Sequence, residues 1–329
     1  MQKFDASQLK TFENLAMLTQ KELRRVMTKY LKSRYNKVVA TKKYIYALGD
    51  IPIALVAHMD TVFKNPPSEI FYDTNKNVIW GDDGLGADDR AGIFAIINII
   101  ESGYRPCVIL TTDEEVGGVG ARALAKIPCP FPNLKYMIEL DRQGSNDCVF
   151  YQLDNPSFVD YIESFGFVEQ WGTYSDICEL APAWKTCAVN LSIGYIDEHS
   201  LSERLYVGYF LKTIERVKVM LSQKNIPDYA YREMTYGQFI KNMYGTSWTA
   251  DDSSNTEYFH CKKCNTLYSE YEVFPVKGLD GKTVYYCPDC IVDKVEWCDH
   301  CGEAYETDGV EGYGCPDCRR TGGEESKNV

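Results

Sequence analysis

Four short apolar runs constrain this chain more than any other feature. Ile51–Ala57, Cys107–Leu110, Tyr136–Leu140 and Cys187–Leu191 are hydrophobic at most positions rather than at alternate ones. A strand reads this way when both of its faces are covered. Helical patterns lie between the runs, at 89–102, 119–126 and 157–165. A last amphipathic pattern, Glu203–Ser222, carries Leu205, Tyr209, Phe210, Ile214 and Val217 on one side. Buried strands alternating with helices predict an α/β sandwich around a mostly parallel sheet. Ahead of it, Thr19 and Glu22 form a capping-box pattern, and apolar residues at helical spacing predict a helical segment over about 5–34. Lys37–Ala40 and Tyr44–Leu48 read as two strands joined by the polar turn Thr41-Lys42-Lys43.

The residues directly after each buried run are as informative as the run itself. Ala57 leads into His58-Met59-Asp60, Leu110 into Thr-Thr-Asp113-Glu114-Glu115, and Leu140 into Asp141. His199 comes shortly after the fourth run. Ligand sites of open α/β sheets gather at the carboxyl ends of the strands. Asp88 falls where the polar loop Trp80-Gly81-Asp82-Asp83 gives way, through Gly84–Gly92, to a buried helix; an aspartate there also serves as an ordinary cap. Each group alone reads as a solvated loop charge, but their joint occurrence at one sheet edge does not. Histidine and carboxylate are the ligands of catalytic zinc, and a shared carboxylate lets two ions sit close together. Asp88 is the expected bridge, with His58 and Asp141 completing one metal and Glu115 and His199 the other. Asp60, on the same side of an extended chain as His58, is expected to orient the imidazole. Glu114 is left without a metal and is the candidate general base.

These segments have a family resemblance. Ala57-His-Met-Asp-Thr-Val62, Gly86-Ala-Asp-Asp-Arg-Ala-Gly92, Asp113-Glu-Glu-Val-Gly117, Glu139-Leu-Asp141 and Glu198-His199 resemble, in order, the five metal motifs of the dinuclear zinc exopeptidases. That superfamily holds peptidase T, bacterial zinc aminopeptidases, carboxypeptidases and related deacylases. The resemblance spans about residues 50–205. It implies a three-layer, zinc aminopeptidase-like sandwich, two catalytic zincs, a peptide substrate and the residue roles given above. Cobalt or manganese suits the same donors. In two-domain relatives a lid or dimerisation domain separates the motifs that here hold Asp141 and His199. Only 57 residues lie between them in this chain. The implied arrangement is therefore a single catalytic domain, an aminopeptidase rather than a lid-dependent carboxypeptidase. An amide deacylase using the same centre is the alternative within hydrolases. Thr173-Tyr-Ser-Asp176 reads equally as cleft lining or as a helix cap.

The last third is of another kind. Eight of the 13 cysteines form four Cys-x-x-Cys pairs: Cys261/Cys264, Cys287/Cys290, Cys298/Cys301 and Cys315/Cys318. Spacers of 22 and 13 residues between successive pairs suit two four-cysteine structural zinc sites, paired sequentially, over 257–320. The expected organisation is a catalytic domain over 1–248, a linker at 249–256, the two ribbons, and a disordered tail at 321–329. A module this small needs the metal to fold. Residues 255–329 hold 8 Lys+Arg against 15 Asp+Glu, and the whole chain has a net charge of −12. Both disfavour nucleic acid and leave a protein contact as the expected use of the ribbons. A non-catalytic binding protein working through them is the reading furthest from an enzyme. With no N-terminal leader pattern and no run of 18 apolar residues, a cytoplasmic location and no membrane partner are expected.

Overall fold

Two helices, α1 (Ala6–Ala16) and α2 (Gln20–Lys32), open the structure, each started by a capping box, Asp5 with Gln8 and Thr19 with Glu22. After them come β1 (Lys37–Ala40), β2 (Tyr44–Leu48), β3 (Ile51–His58), β4 (Ile70–Asp73), β5 (Val78–Gly81), α3 (Ala87–Glu101), β6 (Pro106–Thr111) and α4 (Val119–Ala125). The chain continues through β7 (Tyr136–Arg142), β8 (Asp147–Val149), α5 (Pro156–Glu163), β9 (Val168–Glu169), α6 (Ile177–Trp184) and β10 (Cys187–Ser192). β11 (Tyr195–Ile196), β12 (Arg204–Tyr206) and α7 (Val207–Leu221) complete this part. This computed structural model describes residues 2–234, 258–269, 273–291, 295–297 and 304–307. The chain divides into two compact units, Met1–Glu233 and Met234–Val329. The linker expected at 249–256 and the tail expected at 321–329 lie outside the described residues.

The main sheet has the order β1-β2-β6-β3-β7-β10-β8-β9. Its centre, β6-β3-β7-β10, is parallel throughout, formed by the four apolar runs. β2 joins β6 and β8 joins β10 in antiparallel fashion. Alternate residues of β3 serve two cores. Ile53, Leu55 and Ala57 pack with Phe12, Phe94 and Phe210 of α1, α3 and α7. Ala54 and Val56 pack with Ala121 and Leu124 of α4 and Ile177 and Leu180 of α6. Helices thus cover both faces of a mostly parallel sheet, a three-layer sandwich.

Two expectations change. Arg204–Tyr206 is a strand, because Leu205 pairs with Ile79 of β5, and the last helix begins only at Val207. Trp80 and Gly81 end β5 rather than lying in a loop. Both belong to a second, antiparallel sheet, β11-β12-β5-β4. Its strands run from two to four residues, too short for a periodic pattern to register.

In the second unit, β13 (Tyr258–His260) and β14 (Leu267–Ser269) form a hairpin. β15 (Phe274–Lys277), β16 (Thr283–Tyr286), β17 (Val295–Trp297) and β18 (Ala304–Glu306) form a sheet in the order β16-β15-β18-β17, and Pro288–Ile291 makes one helical turn.

Candidate metal centre

Because β3, β6 and β7 are parallel, their carboxyl ends open on one edge. His58 is the last residue of β3, Glu114 and Glu115 come after β6, and Asp141 lies near the end of β7. Asp88 is the second residue of α3. Gly86 leads into that helix at φ 66°, in the left-handed region that favours glycine. Gly92 allows α3 to lie against β7, since a Cβ there would sit 2.4 Å from the Leu140 carbonyl oxygen. His199 stands in the turn between β11 and β12 at φ 59°, a conformation few non-glycine residues adopt.

The donor atoms converge. His58 Nε2 lies 2.9 Å from Asp88 Oδ1 and 3.4 Å from Asp141 Oδ1. His199 Nε2 lies 3.1 Å from Asp88 Oδ2 and 3.1 Å from Glu115 Oε2. Two groups of three, His58–Asp88–Asp141 and Asp88–Glu115–His199, therefore share one aspartate. Tetrahedral ligands with bonds of about 2.0 Å stand about 3.3 Å apart, and the observed separations straddle that value. Charge agrees with geometry. The buried Arg90 directs its guanidinium to the carbonyls of Met59, Asp60 and Leu18 rather than to carboxylates. Glu115 Oε1 is buried without a partner. The donor set and its unbalanced negative charge fit two divalent cations.

Asp60 does more than face the imidazole. Its Oδ1 lies 3.3 Å from His58 Nδ1 and accepts the Glu114 N–H at 3.1 Å, while its Oδ2 accepts the Glu115 N–H at 3.1 Å. One buried carboxylate thus fixes three of the predicted site residues. Burial pushes the Asp60 pKa up, but His58 and the two amides outweigh it and hold the group below the usual range. Burial also pulls on His58, yet Asp141, Asp60 and Asp88 drive it well above the usual imidazole value. The hydrogen bond to Asp88 raises His199 to about 9. Burial, then Asp88, raises Glu115 to about 7, and burial raises Glu114. Bound cations favour the ionised carboxylates and neutral imidazoles, reversing these shifts.

Sequence reasoning missed several supporting residues. Glu203, fully buried, accepts the Ala87 and Asp88 N–H groups at 3.0 Å each. Tyr195 donates its hydroxyl to Asp141 Oδ1 at 3.1 Å. Asn190 clamps the Asp141 backbone, accepting its N–H at 3.0 Å and donating to its carbonyl at 2.8 Å. Asn190 was visible only as the one polar residue inside an apolar run; Glu203 and Tyr195 gave no signal. Of the segment 173–176, Ser175 and Asp176 are buried. Ser175 donates to Glu139, and Asp176 accepts the Thr111 hydroxyl. Asp176 precedes α6 yet makes no side-chain cap bond.

In the second unit, Cys261, Cys264, Cys287 and Cys290 bring their sulfurs together, with Cys264 and Cys287 3.9 Å apart. The Cys261 and Cys264 knuckle turns between β13 and β14; Cys287 and Cys290 flank the start of the Pro288 helical turn. Cys298, Cys301, Cys315 and Cys318 lie outside the described residues.

No protein-family model matches the sequence, and no curated protein does. Solved structures do. Aminopeptidase PepT from Bacillus cereus ATCC 10987 aligns at a TM-score of 0.50 and 16% identity, over 64% of this chain and 96% of the other. A tripeptidase from Staphylococcus aureus gives 0.53 at 12% identity, over 66% and 98%. The TET aminopeptidase from the marine-sediment Thaumarchaeota archaeon SCGC AB-539-E09 gives 0.54 at 13% identity, over 68% and 98%.

Proposed function

We propose that this chain, built on the fold of the PepT and TET aminopeptidases, is itself a metal-dependent aminopeptidase that releases the first residue of peptides at a dinuclear zinc centre. One observation carries the reading: two donor triads that share Asp88. His58, Asp88 and Asp141 would hold one ion, and Asp88, Glu115 and His199 the other. When bound, such a pair polarises the scissile carbonyl and acidifies water. The residues supply the rest. Asp60 fixes the imidazole and the loop that carries Glu114 and Glu115. Glu114, its pKa raised by burial, takes a proton from the attacking water and delivers it to the departing amine. Cys261, Cys264, Cys287 and Cys290 would hold a structural zinc, and Cys298, Cys301, Cys315 and Cys318 a second, in a module that serves protein contact.

The test is Glu114→Gln. The expected outcome is unchanged metal content with turnover reduced by about 10²–10⁴-fold. Full hydrolysis with both metals retained would remove the mechanism. A panel of aminoacyl and N-acyl amides separates the aminopeptidase from an amide deacylase.

A further inference from the structure

Residues 21–43 hold nine Lys or Arg and a single acid, Glu22, in a chain whose net charge is −12. The structure gathers much of this charge into a track. Lys21, Arg25 and Lys29 recur at four-residue spacing on the exposed side of α2, with Lys32 ending the row; Arg24 and Thr28 form the next row. A groove of about 510 Å³ is lined by Arg24, Arg25, Thr28, Lys29, Lys32 and Ala40, the last residue of β1. Arg24 donates to the Thr41 carbonyl at 2.9 Å, which fixes its guanidinium. Among the described residues, none of Lys21, Arg24, Arg25, Lys29 or Lys32 is ion-paired with a carboxylate. The track is a concentrated positive charge in an acidic molecule.

It starts at the rim of the candidate metal centre. Gln20, the first residue of α2, donates to Asp113 Oδ1 at 2.9 Å. The Lys43 carbonyl accepts the Thr112 N–H at 2.9 Å and the Thr112 hydroxyl at 3.0 Å. Thr112 and Asp113 immediately precede Glu114 and Glu115. Resting on the peptidase reading above, we infer that the α2 groove binds the acidic downstream part of a peptide whose amino end lies at the metal centre. The 13 residues of α2 span roughly 20 Å, the reach of about six extended residues. The groove therefore selects for Asp and Glu several positions beyond the scissile bond, whatever the first side chain is. A nucleic acid fits less well, because the groove lining offers no aromatic face for a base.

The experiment uses full-length, metal-loaded protein and eight-residue peptides that share their first two residues but carry Glu, Gln or Lys at positions 3–8. A dipeptide amide too short to reach α2 is the reference. The Glu peptide is expected to have a KM about tenfold below that of the Gln peptide at low salt, an advantage lost in 1 M NaCl. Arg25→Glu combined with Lys29→Glu, both exposed, should abolish the advantage and leave dipeptide hydrolysis unchanged. Equal KM across the panel, or an advantage that survives charge reversal, overturns the inference. If no peptide or dipeptide is cleaved, the peptidase reading fails separately. Anisotropy of a fluorescent Glu peptide then decides: binding lost on charge reversal sustains the groove, and no binding ends it. Binding of an oligonucleotide with none of the Glu peptide would also overturn it.

Discussion

Asp60→Asn probes how the site is held. The native carboxylate faces three donors, the N–H groups of Glu114 and Glu115 at 3.1 Å each and the His58 Nδ1 edge at 3.3 Å. An ionised carboxylate only accepts, so it bonds both amides and presents negative charge to the imidazole edge at once. Asparagine has the same shape, but its NH₂ must point at one of those donors. One charge-assisted bond, worth about 1.5–3 kcal/mol, is lost and replaced by opposed N–H groups. Water cannot relieve this cost, because Asp60 is only 8% exposed. Part of it appears as misorientation of His58 and Glu115, both candidate ligands. Loss of such a supporting contact lowers metal affinity by about 10–100-fold, or about 1.4–2.7 kcal/mol. Asp60→Ala should weaken binding to a similar degree. Competition with a chromogenic chelator measures both variants. An Asn variant within threefold of wild type beside a weakened Ala variant would mean that shape, not acceptor count, organises the site, and the reasoning would be wrong.

Metal affinity should climb as pH rises from neutrality through about 9. His199, raised to about 9, and Glu115, raised to about 7, hold protons near neutrality that an ion must displace. Calorimetry in two buffers of different ionisation heat should find more protons released at pH 6.5 than at pH 9.5. Phe94→Ala should cost about 3–5 kcal/mol in denaturant unfolding, since the ring is 1% exposed and stacks on Phe210 at 5.3 Å. Cys287→Ser should lower zinc by one per chain and make the second unit protease-sensitive, while the first unit keeps its own metal content. Protease resistance together with unchanged zinc would refute the four-cysteine assignment.

The legible parts of the sequence were set by strand length and burial. β3, β6, β7 and β10 are covered on both faces, so their composition alone marked them. Polar residues at or just beyond the ends of such strands stood out against an apolar background, which is why His58, Glu114, Glu115 and Asp141 could be nominated as candidates without a structure. The small sheet was illegible for the opposite reason. Tyr195–Ile196 and Arg204–Tyr206 gain their strand character from pairing, β12 with a β5 more than 100 residues earlier, and local propensity holds no trace of that. Glu203 was lost with them, since its role exists only once β12 stands beside the start of α3. The capping reading of Asp88 was incomplete in a similar way. It is Asp89 that accepts the N–H of Gly92, at 2.8 Å, leaving Asp88 to face the two histidines.

The two sheets also divide the site mechanically. His58 and Asp141 belong to the strands of the large sheet, whereas His199 rides on the β11–β12 hairpin of the small one. Glu203, at the foot of that hairpin, rivets it to the backbone of Asp88. A substitution that tilts the hairpin therefore moves His199 and tugs Asp88 while the large-sheet donors keep their places. Because Asp88 belongs to both donor triads, such a tilt reaches both halves of the candidate centre, one directly through His199 and the other only through the shared aspartate.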